Sequence, residues 1–549
     1  MDGRQNLMTP DLLQPAAALR IDFEHTKFAV SLAFDGAVAG GMFSEALDKA
    51  ALPRSTWEPS GFANDLFVSR FVAQCLRVRI GGREATLSTR YLTRVLCQPP
   101  AEIAIVDYRR EILAELAASS DARRAFEKLY LALCSLRSLL ENAGAGRVWD
   151  ANRRKLDILT ALKQVFQLLA EQFSDCRSGL GCLGTFGAQV TASEPYQALS
   201  DLLNYDAHLA SLSVRVAVGA DGRIRGFEVL SVNENSDNPF VNPVWRRWLS
   251  KIELFLRGYR FGDGEVMARL LDSVFTGLEV ELVALVQLLG DCEFYLGALG
   301  FRDQAEAAGL KVCLPKLVTA ESPRDLRSLF NPLLLLNGSV PVPCDLIGDR
   351  LTSTTLVTGP NSGGKTRLLQ ALGLTQLLAQ SGLFIPAREG SVALSSGLVA
   401  SLIEQVQADQ AEGRLGMELL RIRALFESLP PGAMVLLDEL CSGTNPSEGE
   451  QIFELVLTML NRLGLQVFIT THFLAFAARL AGSATIERLN FLQVELNADR
   501  QPTYQFKAGV AQTSLAGHTA ERLGVTGDQL LRLVEASLSK QSRLTSEKA

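Results

Sequence analysis

Residues 359–366, in the stretch TGPNSGGKT, bring glycines, a lysine and a threonine together at a spacing that suits phosphate. Gly359, Gly364, Lys365 and Thr366 fit G-x-x-x-x-G-K-[ST], with Pro360, Asn361, Ser362 and Gly363 between them. Glycines let successive backbone N–H groups approach phosphate oxygens with no side chain in the way, and a helix starting there adds the positive end of its dipole. Lys365 would neutralise the β- and γ-phosphates, and the Thr366 hydroxyl would ligate Mg²⁺. A second stretch, AMVLLDEL at 433–440, delivers two acids at the end of an apolar run. Asp438 is placed to hold Mg²⁺ through water, and Glu439 to orient or deprotonate an attacking water. A third, LQVFITTHF at 465–473, ends in His472, where an imidazole could sense the γ-phosphate and polarise that water. A lone Asp-Glu or a lone His at a strand end is commonly structural. The three stretches together describe hydrolysis of a nucleoside triphosphate.

These residues need a scaffold of parallel strands. TTLV before the glycines reads as a buried strand and KTRLLQALGLTQLLAQ after them as a helix. After Pro332 strands alternate with helices, the pattern of an α/β domain with a mainly parallel sheet. From about Val106 to Leu310 the helical period dominates. Phe126, Leu129, Leu133, Leu136 and Leu140 form one stripe, and Leu159, Leu162, Phe166, Leu169 and Phe173 another. A third long helix is expected over Val266 to Leu289. SVRVAVGADGRIRGFEVL alternates and turns at Asp221-Gly222, which predicts a β-hairpin near 212–230 inside this helical region. The Asn- and Pro-rich stretch after it reads as loop. There Arg246 and Arg247 between Trp245 and Trp248 could contact nucleic acid, although a helix start with buried indoles explains them more simply. Residues 1–85 are mixed, with VAQCLRVRIGG expected as strand and turn.

Composition bounds the rest. Hydrophobic residues make up 47 % and charged ones 21 %, ordinary for a globular protein. The net charge of −6 weighs against a basic nucleic-acid glove, though a local patch is compatible with it. No apolar run is read as a membrane span, and MDGRQNLMTP lacks a secretory pattern, so a cytoplasmic protein with no membrane partner is expected. Nine cysteines without a CxxC pair are expected as buried, reduced thiols.

At this point the residues resemble a family. TGPNSGGKT, LLDELCSGTNPSEG and TTHF resemble the phosphate loop, the acidic element and the switch-histidine segment of the MutS mismatch-repair ATPases. FKAGVAQTSLAGHTAERLGV and VPVPCDL resemble further elements of that family. The likeness is firm over 331–525 and weaker over 85–320. There LSTRYLTRVLCQPPAEIAIVDYRREILAEL resembles the entry to the MutS core and LGDCEFYLGALGFRDQAEAAGL its return. The resemblance implies an α/β P-loop NTPase (ABC-like) domain at 331–525 that uses ATP and Mg²⁺. It also implies a mostly helical core/lever domain at 86–330, after an N-terminal segment 1–85 and before a C-terminal helix and tail at 526–549. It implies that Asn361 and Lys365 grip phosphate, that Thr366 and Asp438 hold Mg²⁺, and that Glu439 and His472 serve the water.

Departures from the family pattern are visible. In EGRLGMELLR, Leu415 and Gly416 stand where the family offers Ser or Thr hydroxyls across a dimer, leaving that contact to Arg414 or backbone amides. Cys344 stands where the family has Asn. Cys441 and Ser442 replace Gly-Arg, and GTNPSEG is closer to the MutS2 branch. Phe43 and Glu45 match the Phe-x-Glu mismatch wedge, but with 27 Phe such a triplet arises by chance, so no mismatch-reading domain is expected. The resemblance thus implies a homodimeric ATPase that controls a lever or clamp on DNA in mismatch repair or related maintenance, with possible repair-protein partners. The alternative is an ATP-switched scaffold for a protein partner. A P-loop kinase is disfavoured, because no segment suggests an acceptor site.

Overall fold

A computed structural model describes residues 9–535, apart from 38, 142–150, 208–210, 219–223, 234–262, 338–339, 403–413, 442–444, 484–485, 513–524 and 526. Trp245, Arg246, Arg247 and Trp248, Ser442 and most of the late family-like stretch lie outside the described residues, as do the side chains of Arg414 and Leu415. The chain forms two compact units, one from Met1–Ala51 with Ala114–Phe294, the other from Leu52–Leu113 with Tyr295–Ala549. This division does not follow the boundaries expected after residues 85 and 330: residues 52–113 group with the C-terminal part.

The first unit is helical. Both apolar stripes are buried, in helices Ser120–Glu141 and Ala151–Gln172 and just beyond the latter at Phe173. Helix Gly181–Thr191 lies against Ala151–Gln172 at backbone distance. A Cβ on Gly187 would sit 2.4 Å from the Ala170 nitrogen, so only glycine permits that approach. The hairpin is present as Ser211–Val218 paired antiparallel with Ile224–Asn233. The expected single helix over 266–289 is instead two, Asp263–Gly277 and Glu279–Ala307. The break follows Gly277, a residue that readily ends a helix, and the next helix opens with Glu279 and Glu281 at its positive end. Glu279–Ala307 is long and apolar enough to cross a membrane by length and composition. Its apolar window is 94 % buried within the protein, which makes it a core helix. Phe43 is buried in helix Met42–Lys49 and Glu45 pairs with Lys49 at 2.6 Å, so this triplet presents no wedge.

The second unit is built on a six-stranded sheet. Its strands are β1 (Thr354–Thr358), β2 (Leu398–Ser401), β3 (Met434–Leu437), β4 (Gln466–Thr470), β5 (Leu489–Leu496) and β6 (Pro502–Ala508). Their spatial order is β2-β3-β4-β1-β5-β6, parallel throughout except for β6 at the edge. TTLVT and MVLL are buried at every position, as strands covered on both faces must be. On one face Leu356, Val435, Leu437, Val467 and Ile469 pack with Phe453, Val456, Leu457 and Leu460 of helix Pro446–Arg462 and with Phe476 of helix Leu474–Ser483. Burying one such phenylalanine contributes about 1.5–3 kcal/mol. Helix Lys365–Gln380 is almost wholly buried, with Gly373 close to both Leu436 of β3 and Leu66. The 52–113 segment adds polar ties: Trp57 Nε1 donates to the Ser395 carbonyl at 3.0 Å, and Gln380 Nε2 to the Pro100 carbonyl at 3.1 Å. A four-stranded sheet orders Lys316–Val318, Glu389–Ala393, Pro323–Leu329 and Cys344–Arg350. All nine cysteines are free; Cys75, Cys97, Cys292, Cys344 and Cys441 are buried, while the other four are half-buried rather than buried as expected.

Candidate active site

β1, β3 and β4 are neighbours and run the same way, so their C-terminal ends bring three distant sequence stretches to one edge of the sheet. β1 runs into the glycine loop. Gly359 has φ +146° and Gly364 φ +88°, backbone that side-chain-bearing residues rarely adopt. A Cβ on Gly359 would also lie 2.6 Å from Val494 Cγ2. Ser362 takes φ +65°, and Asn361 and Ser362 are exposed at the tip. Lys365 opens the following helix with its side chain folded into the loop. Its ammonium donates to the carbonyls of Gly359 and Pro360, each at 3.1 Å. Burial holds its pKa below the usual lysine value, against an upward pull from Glu439 and Asp438. A buried cation satisfied by two neutral carbonyls suits an anion better than it suits its present partners.

β3 delivers Asp438. The Thr366 hydroxyl donates to Asp438 Oδ2 at 2.6 Å, and the Thr470 hydroxyl donates to the other carboxylate oxygen. One carboxylate and one loop hydroxyl in contact form a hard-oxygen set of the kind Mg²⁺ takes. Glu439 follows with φ +51° and Cys441 with φ +62°. Such backbone costs on the order of 1–3 kcal/mol per residue and needs outside support. Two hydrogen bonds supply it: the Glu439 N–H donates to Thr470 Oγ1 at 2.9 Å, and the Cys441 N–H to Glu418 Oε1 at 3.1 Å. The turn aims Glu439 at His472, with Oε1 and Nε2 2.5 Å apart. His472 follows β4, whose line is continued where the Thr471 N–H donates to the Val357 carbonyl at 3.1 Å.

The structure therefore brings together Gly359 to Thr366, Asp438, Glu439 and His472. Three contributors were not read from the sequence. Thr470 accepts from the Glu439 N–H and donates to Asp438; its position two residues before the His was the available signal. Glu418 braces Cys441 from helix Arg414–Ser428, a long-range contact with no local mark. Tyr504 of β6 has φ +61°, is half-exposed, and places its ring 3.3 Å from where a Cβ on Gly364 would be. Cys344, by contrast, is buried, and burial pushes its thiol up to about 12, so it offers no exposed donor.

Comparison with known proteins bears on this edge of the sheet. A family model described as MutS domain V matches residues 355–538. Curated proteins named Endonuclease MutS2 are similar. The one from Streptococcus mutans serotype c is 35 % identical over 242 residues, 44 % of this chain and 29 % of that protein. The one from Thermus thermophilus is 34 % identical over 196 residues, 36 % and 26 % respectively. The one from Ligilactobacillus salivarius is 29 % identical over 292 residues, 52 % and 35 %. The chain thus spans about a third or less of the length of the curated relatives it matches.

Proposed function

Starting from a chain that belongs to the MutS family with MutS2-like features, we propose that it is a Mg²⁺-dependent ATPase acting on DNA in repair or maintenance. The observation that carries this reading is the meeting of Lys365, Thr366, Asp438, Glu439 and His472 at the ends of three adjacent parallel strands. In this reading the loop N–H groups from 359 to 366 and the Lys365 ammonium hold the triphosphate, with Asn361 at the loop tip beside it. Lys365 leaves its carbonyl partners for phosphate oxygens. Thr366 and Asp438 would hold Mg²⁺, which when bound offsets charge on the β- and γ-oxygens. Tyr504 stands beside the loop as a flat surface for the base. Glu439 accepts the proton of a water aligned on the γ-phosphate, and that water attacks as the bond to the leaving oxygen breaks. With Glu439 ionised, the shared proton rests on His472 Nε2, which holds the carboxylate in place and faces the same water.

The larger reading is a homodimer, ABC-like in its sheet, in which nucleotide state moves helical levers that grip DNA. The helical first unit and its hairpin support it. Domains at 86–330 for the lever and 331–525 for the ATPase remain part of this reading. The net charge of −6 favours instead a scaffold for a protein partner. Retention of linear, mismatched and branched DNA at low salt, measured with and without ATP alongside phosphate release, separates the two. ATP-dependent retention is expected. Phosphate release with no retention of any DNA would move the chain to the scaffold reading, and the absence of both would end the ATPase reading.

A further inference from the structure

One segment carries charge opposite to that of the chain. From Val68 to Cys97 there are six arginines, Arg70, Arg77, Arg79, Arg83, Arg90 and Arg94, against a single acid, Glu84, in a protein of net charge −6. All but Arg94 are exposed. Several exposed arginines elsewhere lie beside acids, as in Arg124–Asp121, Arg350–Glu321 and Arg423–Glu427. Here Glu84 is engaged by Arg77 at 2.5 Å, and the side chains of Arg79 and Arg83 have no ion pair or hydrogen bond among the described residues.

The arginines are displayed on a short hairpin, Arg79–Ile80 against Arg83–Glu84. It turns through Gly81 and Gly82, at φ +56° and +80°, the tight two-residue turn that matches strand twist. A Cβ on either glycine would meet no atom within 4 Å, so the tip stands in open solvent. The base is fastened. Val78 and Ile80 are buried, and Gln304 Nε2 donates to the carbonyls of Cys75 at 3.1 Å and Arg77 at 3.0 Å. Gly300 lets helix Glu279–Ala307 reach the hairpin backbone, because a Cβ there would lie 2.2 Å from the Arg77 oxygen. A fixed base with a projecting basic tip loses little entropy on binding.

We propose that this hairpin is a contact surface for the phosphate backbone of duplex DNA. The proposal rests on the DNA reading above. Guanidinium forks suit phosphate oxygens better than ammonium does, and phosphate contacts position a protein without reading sequence. A protein interface would call for an apolar centre. No large hydrophobic side chain is exposed between Phe28 and Ile103 among the described residues, so the surface fits a polyanion rather than a folded partner.

The test is fluorescence anisotropy of a labelled DNA duplex titrated with the full chain across a range of KCl. The doubly substituted chain Arg79→Ala/Arg83→Ala should show a plot of log affinity against log salt that is shallower by about 1.8, two phosphate contacts at roughly 0.9 each. Arg79→Lys/Arg83→Lys should restore most of that slope, and DNA-free phosphate release should be the same in all three. Binding by the unsubstituted chain with an unchanged slope in the alanine variant would overturn the hairpin proposal alone. Failure of the unsubstituted chain to bind duplex at the lowest salt would overturn the DNA reading and this surface with it. Loss of polyglutamate binding with unaltered DNA binding would assign the hairpin to an acidic protein and likewise overturn the proposal.

Discussion

Glu439 and His472 touch at 2.5 Å, yet only one of them is asked to take a proton from water. Glu439→Gln keeps the shape and the loop contacts while removing the base. ATP should remain bound and phosphate release should fall by roughly 10²–10⁴-fold, the span a positioned general base supplies; turnover at the ordinary rate would remove Glu439 from that role. Lys365 gives a different signature. Burial lowers its pKa although Glu439 and Asp438 pull it back, so the empty loop loses its cation at lower pH than an ordinary lysine would. ATP affinity measured by equilibrium dialysis should weaken as pH rises toward the ordinary lysine range, beginning before a free lysine would lose its charge. Lys365→Arg, charged throughout, should flatten that profile, and Lys365→Ala should abolish binding at every pH. A profile that is flat for the unsubstituted chain would show that the loop does not rely on this charge.

At the scale of elements, glycines decide which backbones may touch. Helices Ala151–Gln172 and Gly181–Thr191 pack where Gly184 and Gly187 face Phe173, Leu169 and Ala170 at 2.4–2.8 Å from an added Cβ. Gly187→Ala must push the two helices apart, because backbone cannot give as a side-chain tip can. The expected cost is about 1–3 kcal/mol, that of an overpacked core, read as a lower urea midpoint with ATP binding retained. An unchanged midpoint would show that the pair is looser than drawn. Much of this level was legible in advance. The stripes at Phe126 to Leu140 and Leu159 to Phe173 are buried because a 3.6-residue period leaves one face to cover. KTRLLQALGLTQLLAQ forms the helix expected of it. The failure over 266–289 has a cause: Gly277 ends a helix inside a pattern that reads as continuous.

For the whole molecule, the motif-bearing half of the chain is incomplete by itself. Leu66 packs on Gly373, Trp57 and Gln380 exchange hydrogen bonds with main-chain carbonyls, and Arg109, fully buried, reaches the end of the phosphate-loop helix at Ser381. A fragment of residues 295–549 should therefore express as an unstable or insoluble protein, while the same fragment joined to 52–113 should unfold cooperatively and bind ATP. A stable, nucleotide-binding 295–549 would show that the early segment only decorates the unit.

The order of residues along the chain was enough to mark the glycine loop, the acid pair, the strand-end histidine and the helical stripes. Each is a local pattern of types and spacing, set by backbone approach or by helical period. It could not say that residues 52–113 join the C-terminal unit, that Thr470 and Glu418 brace the acid turn, or that Tyr504 stands over Gly364. Those contacts join residues tens to hundreds of positions apart, and only the parallel order of β3, β4 and β1 and the packing around it bring such residues within hydrogen-bonding range. Short-range spacing encodes what a segment can do; the closing of long loops around a shared core decides which segments do it together.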